Sequence, residues 1–127
     1  MTNYYIKAED LEAAREIYDQ LARLVADHTD EPALREEQAQ AAFNLTSYYG
    51  NAEDMEAARE IYDQLARLAA DHTDEPALRE EQAQAAFNLT NYYSKAGELK
   101  AAREIRHQLE ELARRDDHIA EVLSKLR

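Results

Sequence analysis

The residues best suited to chemistry in this chain come in duplicate. Asp27-His28-Thr29-Asp30-Glu31 and Asp71-His72-Thr73-Asp74-Glu75 each gather carboxylates around one imidazole, a donor set that could ligate a divalent cation. A metal needs ligands converging from defined directions, which one short connection rarely supplies alone. The same residues serve as helix-end groups, with a histidine where a cation is favoured and acids near the next helix start. Glu36-Glu37 and Glu80-Glu81 pair carboxylates as an acid/base couple would, but adjacent acids on a helical turn are ordinarily solvated. Ser47, Ser94 and Ser124 sit in no nucleophile motif, and there is no cysteine. Near-identical copies are also a poor basis for an active site, which needs different groups converging on one point. No catalytic residue, metal or cofactor is assigned, and the chain reads as a non-enzyme. His107 and His118 have no repeated context and read as surface residues.

The element that positions all of this is a repeat. Ser47–Thr90 is a 44-residue unit, and Asn3–Thr46 differs from it at five positions: Asn3/Ser47, Ile6/Gly50, Lys7/Asn51, Leu11/Met55 and Val25/Ala69. A third copy starts at Asn91 and drifts after Ile105. A period in this range signals a stacked repeat array. One domain over 1–127 follows, divided into a first copy (3–46), a complete copy (47–90), a partial copy (91–116) and a closing segment (117–127).

Within the unit, Leu11, Ala14, Ile17, Leu21 and Leu24 recur at spacings of three and four, predicting an amphipathic helix over about Glu9–His28. Arg15, Asp19, Arg23 and Asp27 alternate in sign every four residues and read as a solvated face. Thr29 or Asp30 could cap the next helix, and Pro32 suits its first turn. That helix runs to about Tyr49 on Leu34, Ala41, Ala42, Leu45, Tyr48 and Tyr49, and Gly50-Asn51 could end it in the left-handed conformation. The pair recurs as Glu53–His72 and Pro76–Ser94, followed by Glu98–Arg115 and a short closing helix carrying Ile119, Val122, Leu123 and Leu126. No segment alternates with period two, so the fold class is all-α, about six helices in stacked hairpins.

The third copy shows what changes at an end. Leu99, Ala102, Ile105, Leu109 and Leu112 keep the first stripe, while Tyr18/Tyr62 becomes Arg106, Ala22/Ala66 becomes Glu110 and Ala26/Ala70 becomes Arg114. These positions follow one line along the helix, so the face meant for the next repeat has turned polar, as a terminal cap requires. At the other end, Met1 and Thr2 fall where Leu45-Thr46 lies in the next copy, inside a helix that should cover Leu11, Ile17, Leu21 and Leu24. Burying each such side chain is worth roughly 1.5–3 kcal/mol, so this stripe is expected to drive self-association into a homodimer or higher oligomer. Exchange through a straightened HTDEP hinge is one route.

Bulk properties narrow the partners. A net charge of −12 disfavours nucleic acid and anionic membrane. No apolar run approaches a membrane span, and MTNYYIKAED has no signal-peptide core, so a soluble, cytoplasmic protein is expected.

Over Phe43–Leu68 and Phe87–Leu112 the pattern resembles the tetratricopeptide repeat, a helix-turn-helix motif. Leu89, Tyr93, Gly97, Leu99 and Ala102 fall where that motif places its leucine, tyrosine, glycine, large apolar residue and alanine, and Leu45, Tyr49, Ala58 and Tyr62 fit similarly. The departures are a 44-residue period instead of the usual 34, Ala42/Ala86 for an aromatic, Thr46/Thr90 for glycine, and Glu53 for the turn glycine. The resemblance implies an α-α solenoid that binds a protein or peptide on its concave face, with Tyr5, Tyr49 and Tyr93 as packing residues. Phe43 and Phe87 fall where the family faces its groove, although they could equally cover neighbouring helices. The row Glu36, Gln40, Phe43, Ser47, with Asn44 beside it, recurs as Glu80, Gln84, Phe87, Asn91 with Asn88. A polar row carrying one aromatic per repeat suits a peptide groove. The family's clamp for acidic tails uses lysine where this chain has Phe43 and Phe87, so that specificity is not implied. The alternative is a structural or consensus-engineered repeat fragment with no ligand, whose interaction is self-association.

Overall fold

The computed structural model describes residues 8–126, and the side chains of residues 9–125. Six helices follow in order: α1 (Ala8–Asp27), α2 (Pro32–Asn51), α3 (Met55–Asp71), α4 (Pro76–Lys95), α5 (Leu99–Arg115) and α6 (Asp117–Leu126). The expectations for Tyr4, Tyr5, Met1 and Thr2 fall outside the described residues.

Two rows make the stack. In the inner row α2 packs on α4 and α4 on α6, whereas among the described residues α1, α3 and α5 pack on the inner row and meet one another through side chains alone. The outer helices therefore stand farther apart than the inner ones. Outer helices carry one clear apolar stripe, as an element packed on one side must. Helix α2 is enclosed by α1, α3 and α4, so Arg35, Gln38, Ala39, Ala42, Leu45, Thr46, Ser47 and Tyr49 are all buried around its circumference. Alanines at 39, 42, 83, 85 and 86 are fully or almost fully buried and allow these close approaches. Buried Thr46 and Thr90 each donate to the carbonyl four residues back, Ala42 and Ala86, both at 2.8 Å, which satisfies a hydroxyl inside an apolar stack.

Side-chain bridges cross the outer row with the repeat's period. Tyr18, 1% exposed, donates its hydroxyl to Gln64 Oε1 at 2.8 Å and accepts from Gln38 Nε2 at 3.4 Å. Tyr62, 0% exposed, does the same with Gln108 at 2.8 Å and Gln82 at 3.3 Å. Arg15 reaches Glu60 at 2.8 Å and Arg59 reaches Glu104 at 3.7 Å. Arg15 is thus an inter-repeat link as well as a partner of Asp19 at 3.1 Å, not simply part of a solvated row. Arg106 and Glu110, which replace buried Tyr62 and half-buried Ala66 in the last copy, are exposed. Arg114 is exposed too, but so are Ala26 and Ala70 at its position, which takes no part in the stacking that the sequence suggested for it.

Local details depart from the sequence expectations in two places. Neither Thr29 nor Asp30 caps α2: the N-cap is Glu31, without a side-chain cap bond, and Pro32 opens the helix. Gly50 and Asn51 stay helical, and the left-handed residue is Glu53, at φ 63°, where the next copy has Gly97 at φ 79°. Gly50 is needed for a different reason: a Cβ there would lie 2.3 Å from the Tyr92 ring.

Helix α6 closes the stack as a half-length inner helix. Asp116 accepts from the backbone N–H groups of His118 and Ile119 at 3.0 and 3.4 Å and from Arg79 Nε at 3.2 Å. Burial acts to raise its pKa, but Arg79 and the two N–H groups together outweigh that and hold it below its ordinary value. Ile119 and Leu123 then enter the core at 0% and 4% exposure.

Candidate functional site

The candidate groove lies on the one side of α2 that no helix covers. Glu36, Gln40 and Asn44 stand exposed in line at a spacing of four, and Phe43 beside them is half-buried against the core. On α4 the equivalent Glu80, Gln84, Phe87 and Asn88 are half-buried, and Asn91 is exposed. Two members of the sequence-derived row are not groove residues. Ser47 is fully buried and accepts from Asn88 Nδ2 at 3.2 Å, so this pair fastens α2 to α4. The turn of the helix that brings Asn44 to the surface carries Ser47 under the neighbouring helix, where a small hydroxyl fits.

Phe87 also faces the end of the stack. It lines a cavity of about 370 Å³ with Thr90, Asn91, Arg106, Leu109, Glu110 and Leu123 among its walls. In the middle copy Tyr62 and Ala66 stand where Arg106 and Glu110 are, packed beneath the longer α4. Glu81 sits on the same helix, its carboxyl pushed up first by burial and then by Glu80.

The HTDEP segment serves as a joint. Buried Arg35 donates Nε to Glu75 Oε2 at 2.8 Å and Nη1 to the Thr29 carbonyl at 2.6 Å, tying one connection to the next. Arg79 repeats this with Asp116 and the Thr73 carbonyl. His72 Nδ1 lies 3.4 Å from the same Glu75 oxygen, and donor atoms of His72, Asp74 and Glu75 fall within 4.8 Å of one another. A cation here would compete with Arg35 for Glu75, whose other oxygen is buried without a partner. His118, expected as a plain surface residue, is exposed and pairs with Glu80 at 3.3 Å.

The second candidate surface is on α1. Ile17 is 65% and Leu24 43% exposed, while Leu11 and Leu21 are half-buried. Two clefts beside the outer helices are absent from the sequence-derived candidates. One is lined by Leu11, Arg15, Tyr49 and Asp54, the other by Met55, Arg59, Tyr93 and Glu98. Their signal was an arginine and a tyrosine recurring together at the repeat's period.

Comparison with family models, curated proteins and solved structures returned no match. No helix among the described residues is long and apolar enough to cross a membrane.

Proposed function

We propose that this chain is a tetratricopeptide-like protein-interaction module that holds a peptide or helix along the open side of α2 and α4. One observation carries the reading. An inner helix otherwise buried against three neighbours keeps Glu36, Gln40 and Asn44 aligned in water, with Phe43 alongside. Glu36 and Glu80 give the strip negative charge, so the ligand that suits it is basic, with an apolar side chain for Phe43 or Phe87. Peptides selected on the wild-type protein from a random display library test this. They should be rich in lysine and arginine, and should lose at least about tenfold in affinity on Gln40→Arg/Asn44→Arg, a change of roughly 1.4 kcal/mol or more. Selected peptides indifferent to that variant would refute the groove.

A second reading, favoured by the exposure of Ile17 and Leu24, is a repeat segment that associates through α1. Its measure is solution mass across a concentration series, expected to rise in the wild type and to stay monomeric in Ile17→Glu. A wild-type monomer throughout would exclude self-association.

A further inference from the structure

The repeat shows what the open face of α1 is built to receive. Helix α5 packs on α4 and is reached by side chains of α3, and α3 packs on α2 and is reached by side chains of α1. Each preceding pair is an outer helix, an HTDEP-type connection and an inner helix, and each makes the same three polar links onto the outer helix that follows it. Arg59 pairs with Glu104, Tyr62 donates to Gln108, and Arg79 pairs with Asp116 just after α5. One repeat earlier, Arg15 pairs with Glu60, Tyr18 donates to Gln64, and Arg35 pairs with Glu75 just after α3.

Helix α1 carries the receiving half of this interface. Glu16, Gln20 and Glu31 stand where Glu60, Gln64 and Glu75 stand one unit later, and all three are exposed. Ile17, 65% exposed, is the counterpart of Ile61 and Ile105, both 0% exposed. Leu24, 43% exposed, matches the half-buried Leu68 and Leu112. The apolar seam and the three acceptors are both present, and only the donor pair is missing from the described residues.

We propose that the α1 end of the stack is a docking site for a helical pair of the α3–α4 type. Its inner helix lies over Ile17 and Leu24, and its arginine, tyrosine and second arginine meet Glu16, Gln20 and Glu31. The inference rests on reading α1 as an interaction face and is independent of the groove along α2 and α4. The occupant is specified by continuity with the two internal interfaces and by charge, since acidic Glu16 and Glu31 await two arginines. The opposite end offers no second site of this kind, because Arg106 and Glu110 replace the packing tyrosine and alanine there.

The test is titration of a fluorescent synthetic peptide spanning Met55–Lys95 into the intact protein, followed by anisotropy. Saturable one-to-one binding is expected, lost at least about a hundredfold in Ile17→Glu, since that charge would be buried without a partner. Ile17 is exposed in the free protein, so the variant should melt like the wild type. Tyr62→Phe in the peptide and Gln20→Leu in the protein should each weaken binding about fivefold, and together no more than either alone. Saturable binding to a protein that stays monomeric by itself upholds this site while rejecting self-association. Failure to bind, binding unchanged by Ile17→Glu, or a wild-type dimer that shuts the peptide out would each overturn the proposal.

Discussion

Helices α1 and α3 have almost the same sequence and very different surroundings. Over Leu11–Asp27 and Met55–Asp71 they differ only at Leu11/Met55 and Val25/Ala69, yet Ile17 is 65% exposed and Ile61 0%. Tyr18 and Tyr62, facing the other neighbour, are both buried. The difference shows that the apolar side of an outer helix in this stack has two separable halves. One is served by the inner helix that follows it, and the other by the pair that precedes it. Because the side chains are held constant, the contrast isolates what stacking itself contributes.

Truncating the same residue in both helices sharpens the contrast most. Ile61→Ala should cost about 4 kcal/mol by opening a cavity in a sealed interface, and Ile17→Ala should stay within about 0.5 kcal/mol. Denaturant unfolding of the two variants measures both, and equal losses would break the comparison. The joints should follow the same order. Arg35→Ala leaves Glu75 buried and is expected to cost about 3 kcal/mol, whereas Glu31→Gln, at an exposed carboxylate with no described partner, should leave the melting temperature unchanged.

Alkaline titration probes the following-side interface. Burial pushes the Tyr62 phenol up to about 12 from an ordinary 10.0, against a lowering by its hydrogen bond with Gln82. Burial also raises Tyr18 and Tyr93. A raised folded-state pKa stabilises fully below the unfolded value and is lost as pH rises through the folded one. Stability should therefore fall between about pH 10 and 12 as tyrosinate forms, with less of a fall in Tyr62→Phe. The smallest effect belongs to the turns. Glu53 holds φ 63° where the next copy has Gly97, so Glu53→Gly should be neutral or stabilise by about 0.5 kcal/mol in the same unfolding experiment.

Much of this arrangement was legible in the sequence, for identifiable reasons. Helices packed on one side advertise it by a single stripe, so α1, α3 and α5 could be read directly. The change from Tyr62 to Arg106 marked the end of stacking because a buried phenol and an exposed guanidinium cannot share a role. The inner helices resisted the same method. Helix α2 is buried on three sides by small and polar residues, which removes any clean stripe. Ser47 consequently reads as a groove residue although it is bonded to Asn88 beneath α4, and nothing near Arg35 in the sequence marks it as buried, because its carboxylate lies forty residues on. The sequence marks Glu53 as the substitute for a turn glycine, and its φ agrees, but it suggests Gly50 as a helix terminator when the task of that residue is to admit the Tyr92 ring.

The most direct test of the open and closed faces uses the absence of native cysteine. Ile17→Cys, Ile61→Cys and Ile105→Cys, prepared singly, would be labelled with a thiol reagent under native conditions at high dilution. The account predicts that Cys at 17 reacts within about tenfold of an unfolded-chain thiol, while Cys at 61 and 105 reacts orders of magnitude more slowly, at a rate limited by opening of the stack. Protection at 17 equal to that at 61, unchanged on further dilution, would contradict it.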